Sequence, residues 1–185
     1  MIQPGQTQVL ARVDSRQPAS VNRLTAMSAI MKYTYSIFAD YHQFYLWDRD
    51  TSPEAPTDYT DTDIERRIKA APNVVVIQPE RNMDVPVTLE VFAAEPETDF
   101  DEWDHVAEAS LELPSGHLEI RECTGGSIDR IDLSPATYRV RAYFGALSEL
   151  SEDGLEGKDH YRLVLWPAVF SPVEVLKQFP GRNAG

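Results

Sequence analysis

A chain of 185 residues with 42% hydrophobic side chains can bury a sizeable core and suits one domain better than two. Its 30 acidic and 17 basic residues leave a formal charge of −13, a field that repels a phosphate backbone; direct nucleic-acid binding is therefore disfavoured and a basic protein partner favoured. The single cysteine, Cys123, excludes an intrachain disulfide and a cysteine-rich zinc site, and no apolar run approaches the ~20 residues of a membrane span, so a cytoplasmic protein is expected.

Residues 1–31 mix Gln, Ser, Thr and Pro, lack the continuous apolar centre of a secretory signal, and carry Arg12, Arg16 and Arg23 against Asp14 for a net of +2. Residues 32–185 hold 14 basic and 29 acidic residues, a net of −15. That shift predicts an arm over 1–31, mobile or loosely docked, followed by a globular domain over 32–185. Within the arm, Leu24, Met27 and Met31 have the spacing of a short helix, and Met27 and Met31 are alternative starts just ahead of the globular pattern.

From Lys32 the pattern turns to strands. Tyr33, Tyr35 and Ile37 alternate, and so do Phe44 and Leu46 in the segment 41–48. Residues 49–59, with Pro53 and Pro56, read as an exposed loop. Thr60, Asp61, Thr62 and Asp63 offer capping side chains for a helix over 64–71, whose Ile64, Ile68 and Ala71 should pack on a sheet because so short a helix does not persist alone. Beyond Pro72, the segments 74–78, 85–93, 107–113, 117–121, 128–133, 138–144 and 161–166 read as strands, separated by turn signals such as Pro114-Ser115-Gly116 and Gly125-Gly126. Residues 172–179 read as a helical turn or a surface tail. About nine short strands and one helix predict a mainly β fold: an antiparallel two-sheet sandwich with one short helix packed on it.

Catalysis finds no support in the motifs. The chain lacks a Gly-x-Ser-x-Gly elbow, a phosphate-cradling loop and a dinucleotide fingerprint, and Cys123 has no activating neighbour in sequence, so its expected role is packing. His42, His105, His117 and His160 do not pair at metal-ligand spacing, and neither cofactor nor metal is expected. Asp99, Asp101, Glu102 and Asp104 surround Phe100 and Trp103 without the glycine turn and terminal acid of a calcium loop. The plain reading is a solvated acidic connection; the functional one is a contact surface in which the acids steer a basic partner and Trp103 anchors it. Tyr41, His42 and Gln43 are the second candidate, either as ordinary polar positions on a strand, as contacts to the partner, or as the lining of a small-ligand pocket in a β-sandwich.

Asp40-Tyr41-His42-Gln43-Phe44, then Tyr59-Thr60-Asp61 ahead of the helix, then Arg81-Asn82 ahead of the strand at Val85, resemble the bacterial competence protein ComJ family. The resemblance runs through residues 35–143 and more faintly to Trp166, with Ala136 where the family commonly has glycine. It implies a small non-enzymatic protein that associates with a DNA-entry nuclease and restrains it. An immunity protein against a toxin nuclease would use the same physics.

Overall fold

Each segment with alternating apolar residues forms a strand in the structure, a computed structural model that describes residues 29–181. The elements run β1 (Met31–Phe38), β2 (Phe44–Asp48), α1 (Asp61–Arg66), β3 (Ile68–Ala71), β4 (Val74–Ile77), β5 (Asp84–Val91), β6 (His105–Leu113), β7 (His117–Glu122), β8 (Gly126–Asp132), β9 (Ala136–Gly145), β10 (His160–Pro167) and β11 (Glu174–Lys177). The architecture is the expected mainly β one, two sheets with one short helix. A six-stranded sheet ordered β1-β5-β10-β9-β6-β11, curled into a half-barrel, faces a five-stranded sheet ordered β3-β4-β2-β7-β8. All pairings are antiparallel except β5 with β10, which run parallel from Val87↔Tyr161 to Val91↔Leu165 because the chain makes a long return between them.

The core lies between the sheets. Ile37, Leu89, Leu163, Val140 and Leu111 from the six-stranded sheet meet Phe44, Leu46, Ile77, Leu118 and Ile120 from the other. The outer face of the six-stranded sheet is apolar as well. Phe92, Val106, Tyr143, Val164 and Trp166 sit there beneath Phe100, Trp103, Ala168 and Leu176, so the acidic connection before β6 and the chain after β10 both lie across it. Buried charges on that face are paired, as burial demands. Glu108 accepts from Arg139 at 2.8 Å and from Arg141; Glu90 takes Lys32 at 2.9 Å and Arg162 at 2.6 Å.

Four sequence expectations change. The capping chemistry is where it was read: Thr60 Oγ1 accepts from the Asp63 N–H and Asp63 accepts from the Thr60 N–H. The helix nonetheless spans Asp61–Arg66, not 64–71. Arg67, at φ 58°, turns the chain, and Ile68–Ala71 becomes β3. As a strand, Ile68 buries fully and residues 68–71 pair with 74–77, a gain that a second helical turn lying on the surface does not offer. Ile64, expected in the core, is 58% exposed. Within the segment 172–179, Glu174–Lys177 forms β11, paired with β6, and Phe179 is buried. Residues 41 and 42 are not in a strand but in a turn, described below. The predicted arm and its helix fall, except for residues 29–31, outside the described residues.

Candidate functional site

The connection from β1 to β2 crosses one end of the sandwich in five residues, 39–43. The Gln43 N–H donates to the Asp40 carbonyl at 3.2 Å, closing a turn whose two central residues, Tyr41 and His42, have φ of 54° and 56°. That is the left-handed pair usually supplied by Asn-Gly, and holding two bulky side chains there costs about 1–2 kcal/mol each. The turn leaves Tyr41 68% exposed. Next to it, Phe44 of β2 pairs with Ile77 of β4, so Gln43 and Gln78, one residue further out, face each other at the open end of the five-stranded sheet.

Around these two glutamines lies a cleft of about 560 Å³. Tyr41, His42 and Gln43 form one wall; Tyr59, Ile64 and Arg67, from α1 and its flanks, form the other, and Gln78 to Glu80 close the back. Gln43 Oε1 accepts from the hydroxyls of Tyr45 and Tyr59, each at 3.2 Å. Burial pushes the Tyr59 phenol up to about 12, so it stays protonated and donating. Gln78 donates its backbone N–H to the Arg67 carbonyl at 2.9 Å, yet its side-chain Oε1 is buried with no hydrogen-bond partner. Arg67 is neutralised by Glu80 at 2.5 Å and lies over the Phe179 ring, 5.6 Å from the centroid. Behind the wall, Arg81 pairs with the fully buried Asp159, which also accepts from the Tyr161 hydroxyl at 2.5 Å. A second depression of about 530 Å³, running on to Gln178 and Pro180, shares Ile64 and Arg67 with the cleft.

The acidic connection occupies the same end but does not line the cleft. Asp99, Asp101 and Glu102 are exposed. Asp104 is half-buried and accepts from the Leu147 N–H at 2.7 Å, which gives it a structural role. The Trp103 ring lies 5.2 Å from both Tyr143 and His160, packed on its own sheet. Two ties link this connection to the cleft. Lys177 donates to the Phe100 carbonyl at 2.9 Å, and the fully buried His105 accepts from the Phe179 N–H at 3.2 Å while its Nε2–H donates to the Arg66 carbonyl at 2.9 Å. Burial depresses the His105 pKa to about 4, consistent with this neutral tautomer. Among the described residues no group of three or more His, Cys, Asp or Glu is arranged to hold a metal, and no helix is long and apolar enough to cross a membrane.

No family model matches this chain, and no curated protein matches it in sequence. Among solved structures, ComJ from Bacillus subtilis, described as inhibitor of the DNA degrading activity of NucA, superposes with a TM-score of 0.58 at 18% identity, covering 78% of this chain and 100% of its own. The fold is that of ComJ. A structure named crocagin biosynthetic gene J matches with a TM-score of 0.47 at 17% identity, over 74% of this chain and 95% of its own. The likeness to the ComJ family read from Tyr41-His42-Gln43-Phe44 thus holds at the level of fold.

On the ComJ fold, sequence reasoning placed Tyr41, His42 and Gln43 together and missed Tyr59, Ile64, Arg67, Gln78 and Glu80. Their convergence depends on the pairing of β2 with β4 and on the turn at Arg67, neither of which leaves a local signal. Chemically, the cleft offers aromatic faces and an apolar rim. It holds no nucleophile paired with a base.

Proposed function

We propose that this chain is a non-catalytic acidic binding protein that restrains a nuclease by occupying its basic cleft, where the phosphate backbone otherwise lies. The observation that carries the reading is the fold shared over the whole length of ComJ, an inhibitor of a DNA-degrading activity, in a chain whose own charge is −13. On this reading Asp99, Asp101 and Glu102 supply the attracting charge, Trp103 gives the segment a fixed platform, and the neighbouring cleft takes part in contact.

The test is a pull-down from the native cell at low and high salt, with the recovered protein assayed for DNA cleavage. A basic nuclease that is inhibited when bound and released as screening rises supports the reading. Reversing Asp99, Asp101 and Glu102 to Lys should weaken binding at low salt by about tenfold and flatten its salt dependence; unchanged binding and slope overturn the role of these charges. Asp104 is left intact because it holds the Leu147 N–H. The 560 Å³ cleft beside His42 favours a second reading, a small-ligand-binding β-sandwich, since its volume falls in the range of about 300–1,000 Å³ common for such sites. A co-purifying small molecule with no protein partner would select it.

A further inference from the structure

We propose that β1 is the meeting edge of a symmetric dimer, in which two copies of this chain pair their β1 strands antiparallel about Thr34 and join their six-stranded sheets into one. This association is separate from the binding of a nuclease and does not depend on it.

The first observation is which backbone groups are bare. β1 is the outer strand of its sheet and pairs with β5 alone. Ala39 donates its N–H to the Met83 carbonyl at 3.1 Å, in step with the β1–β5 register, so the odd-numbered residues of β1 turn their backbone groups towards β5. The even-numbered residues turn theirs outward. Phe38 follows this rule, since its N–H leaves the sheet and donates to a Glu122 carboxylate oxygen at 2.9 Å. Pro86, which has no N–H to give, stands on β5 opposite Ser36, a position that β5 turns away from β1. Lys32, Thr34 and Ser36 are exposed, and among the described residues no side chain caps their outward N–H and carbonyl groups as Glu122 caps Phe38.

The second observation is that the other sheet edges are blunted and this one is not. β3 and β11 have four residues each, and β11 shifts register between Val175 and Lys177. β8 pairs with β7 across a register shift and carries Asp129, Arg130 and Asp132. β1 runs for eight residues with no shift against β5 and no proline, the kind of long, regular edge that proteins cover. A second copy fits it because β1 is complementary to itself. With Thr34 on the two-fold axis, Thr34 meets Thr34, Tyr33 meets Tyr35, and Lys32 meets Ser36. Threonine and aromatic pairs of this kind stabilise a ladder, and the bare groups of residues 32, 34 and 36 satisfy one another. Charge agrees. Lys32 is the one charged residue of β1 and does not face itself, and Glu90, opposite it on β5, is already held by Lys32 and Arg162. Two chains of −13 therefore meet at an edge that carries no acid of its own.

The test is sedimentation equilibrium of the full-length chain from about 1 μM to about 1 mM, where a monomer–dimer equilibrium with a dissociation constant of about 10–100 μM is expected. Added salt should tighten it by screening the repulsion between two acidic chains, the opposite of its effect on a basic partner. Thr34→Pro removes the N–H on the axis and spares the ladder to β5, which uses the odd-numbered residues; it should weaken the dimer at least about tenfold. Thr34→Lys sets two like charges opposite each other and should do the same without constraining the backbone. Thr34→Cys, in a Cys123→Ser chain that keeps an acceptor for the Tyr45 hydroxyl, should give a disulfide-linked dimer on oxidation, because residues paired across the axis stand about 5.5 Å apart at Cα. Ser36→Cys, which faces Lys32 of the second copy, should not. A monomer throughout the concentration range overturns the proposal. So does a dimer that survives both Thr34→Pro and Thr34→Lys, or one that cross-links through Ser36→Cys in preference to Thr34→Cys.

Discussion

Two aromatic stretches flanked by polar residues reach the same end of the sandwich and meet opposite fates. In the acidic connection, Trp103 turns inward onto Tyr143 and His160, and its acids are left outside as a charged edge. In the β1–β2 turn, Tyr41 turns outward beside a cleft that its polar neighbours Gln43 and Gln78 help to line. The difference comes from what lies opposite each ring. Trp103 passes over a sheet face that is apolar on its outer side, with Tyr143 and Val164 waiting for cover. Tyr41 sits in a left-handed turn beyond the ends of β1 and β2, where no sheet face covers it. A flanking run of acids is therefore a poor guide to which aromatic is free to bind; the backbone geometry beneath it is a better one.

The comparison can be broken most forcefully behind the cleft, where the wall is held by the pair Arg81–Asp159. Asp159→Asn leaves the Arg81 guanidinium buried without its counter-charge, and should cost about 3–5 kcal/mol in urea unfolding. A cost under about 1 kcal/mol would make the cleft wall as loosely held as the acidic edge. Next comes acid. His105 joins the two regions, and its pKa is about 4 in the fold against 6.5 when free. Between those values the unfolded chain binds the extra proton, so stability present above pH 6.5 is lost as pH falls towards 4, with a ceiling of roughly 3 kcal/mol. Replacing His105 by Gln should flatten that part of the pH–stability curve; an unchanged curve removes His105 as the link. Third, Trp103→Ala should cost about 2 kcal/mol, below the ~3–5 kcal/mol of a fully buried aromatic because the ring is only half covered. A loss below about 0.5 kcal/mol would mean that Trp103 is as free as Tyr41, and would restore it as a partner anchor.

The sheets were legible because strand alternation is a local property. Val85, Val87, Leu89 and Val91 announce β5 by themselves, and Thr60 with Asp63 announces the start of α1. What stayed hidden depends on competition between distant partners. Ile68 looks helical next to Arg66 and Arg67, and becomes a strand only because Ile77 is available to pair with it. The segment 172–179 looks like a tail until β6 offers an edge. The cleft was half legible for the same reason. Tyr41, His42 and Gln43 are contiguous, whereas Gln78 and Arg67 join them through pairings that only the folded chain defines.

The smallest predicted effect on stability is the one that most sharpens the contrast. Tyr41→Asn deletes a ring that is 68% exposed and puts an Asn, which tolerates left-handed backbone well, at φ 54°. The packing lost is slight and Asn relieves only part of the left-handed strain, so unfolding free energy should change by no more than about 0.5 kcal/mol. Set beside a costly Trp103→Ala, a neutral Tyr41→Asn that still weakens binding would show that the fold uses the first aromatic for itself and holds the second out for another molecule. A cost above about 1 kcal/mol would reverse that assignment: the turn would then be a structural corner, and its strained tyrosine part of the packing after all.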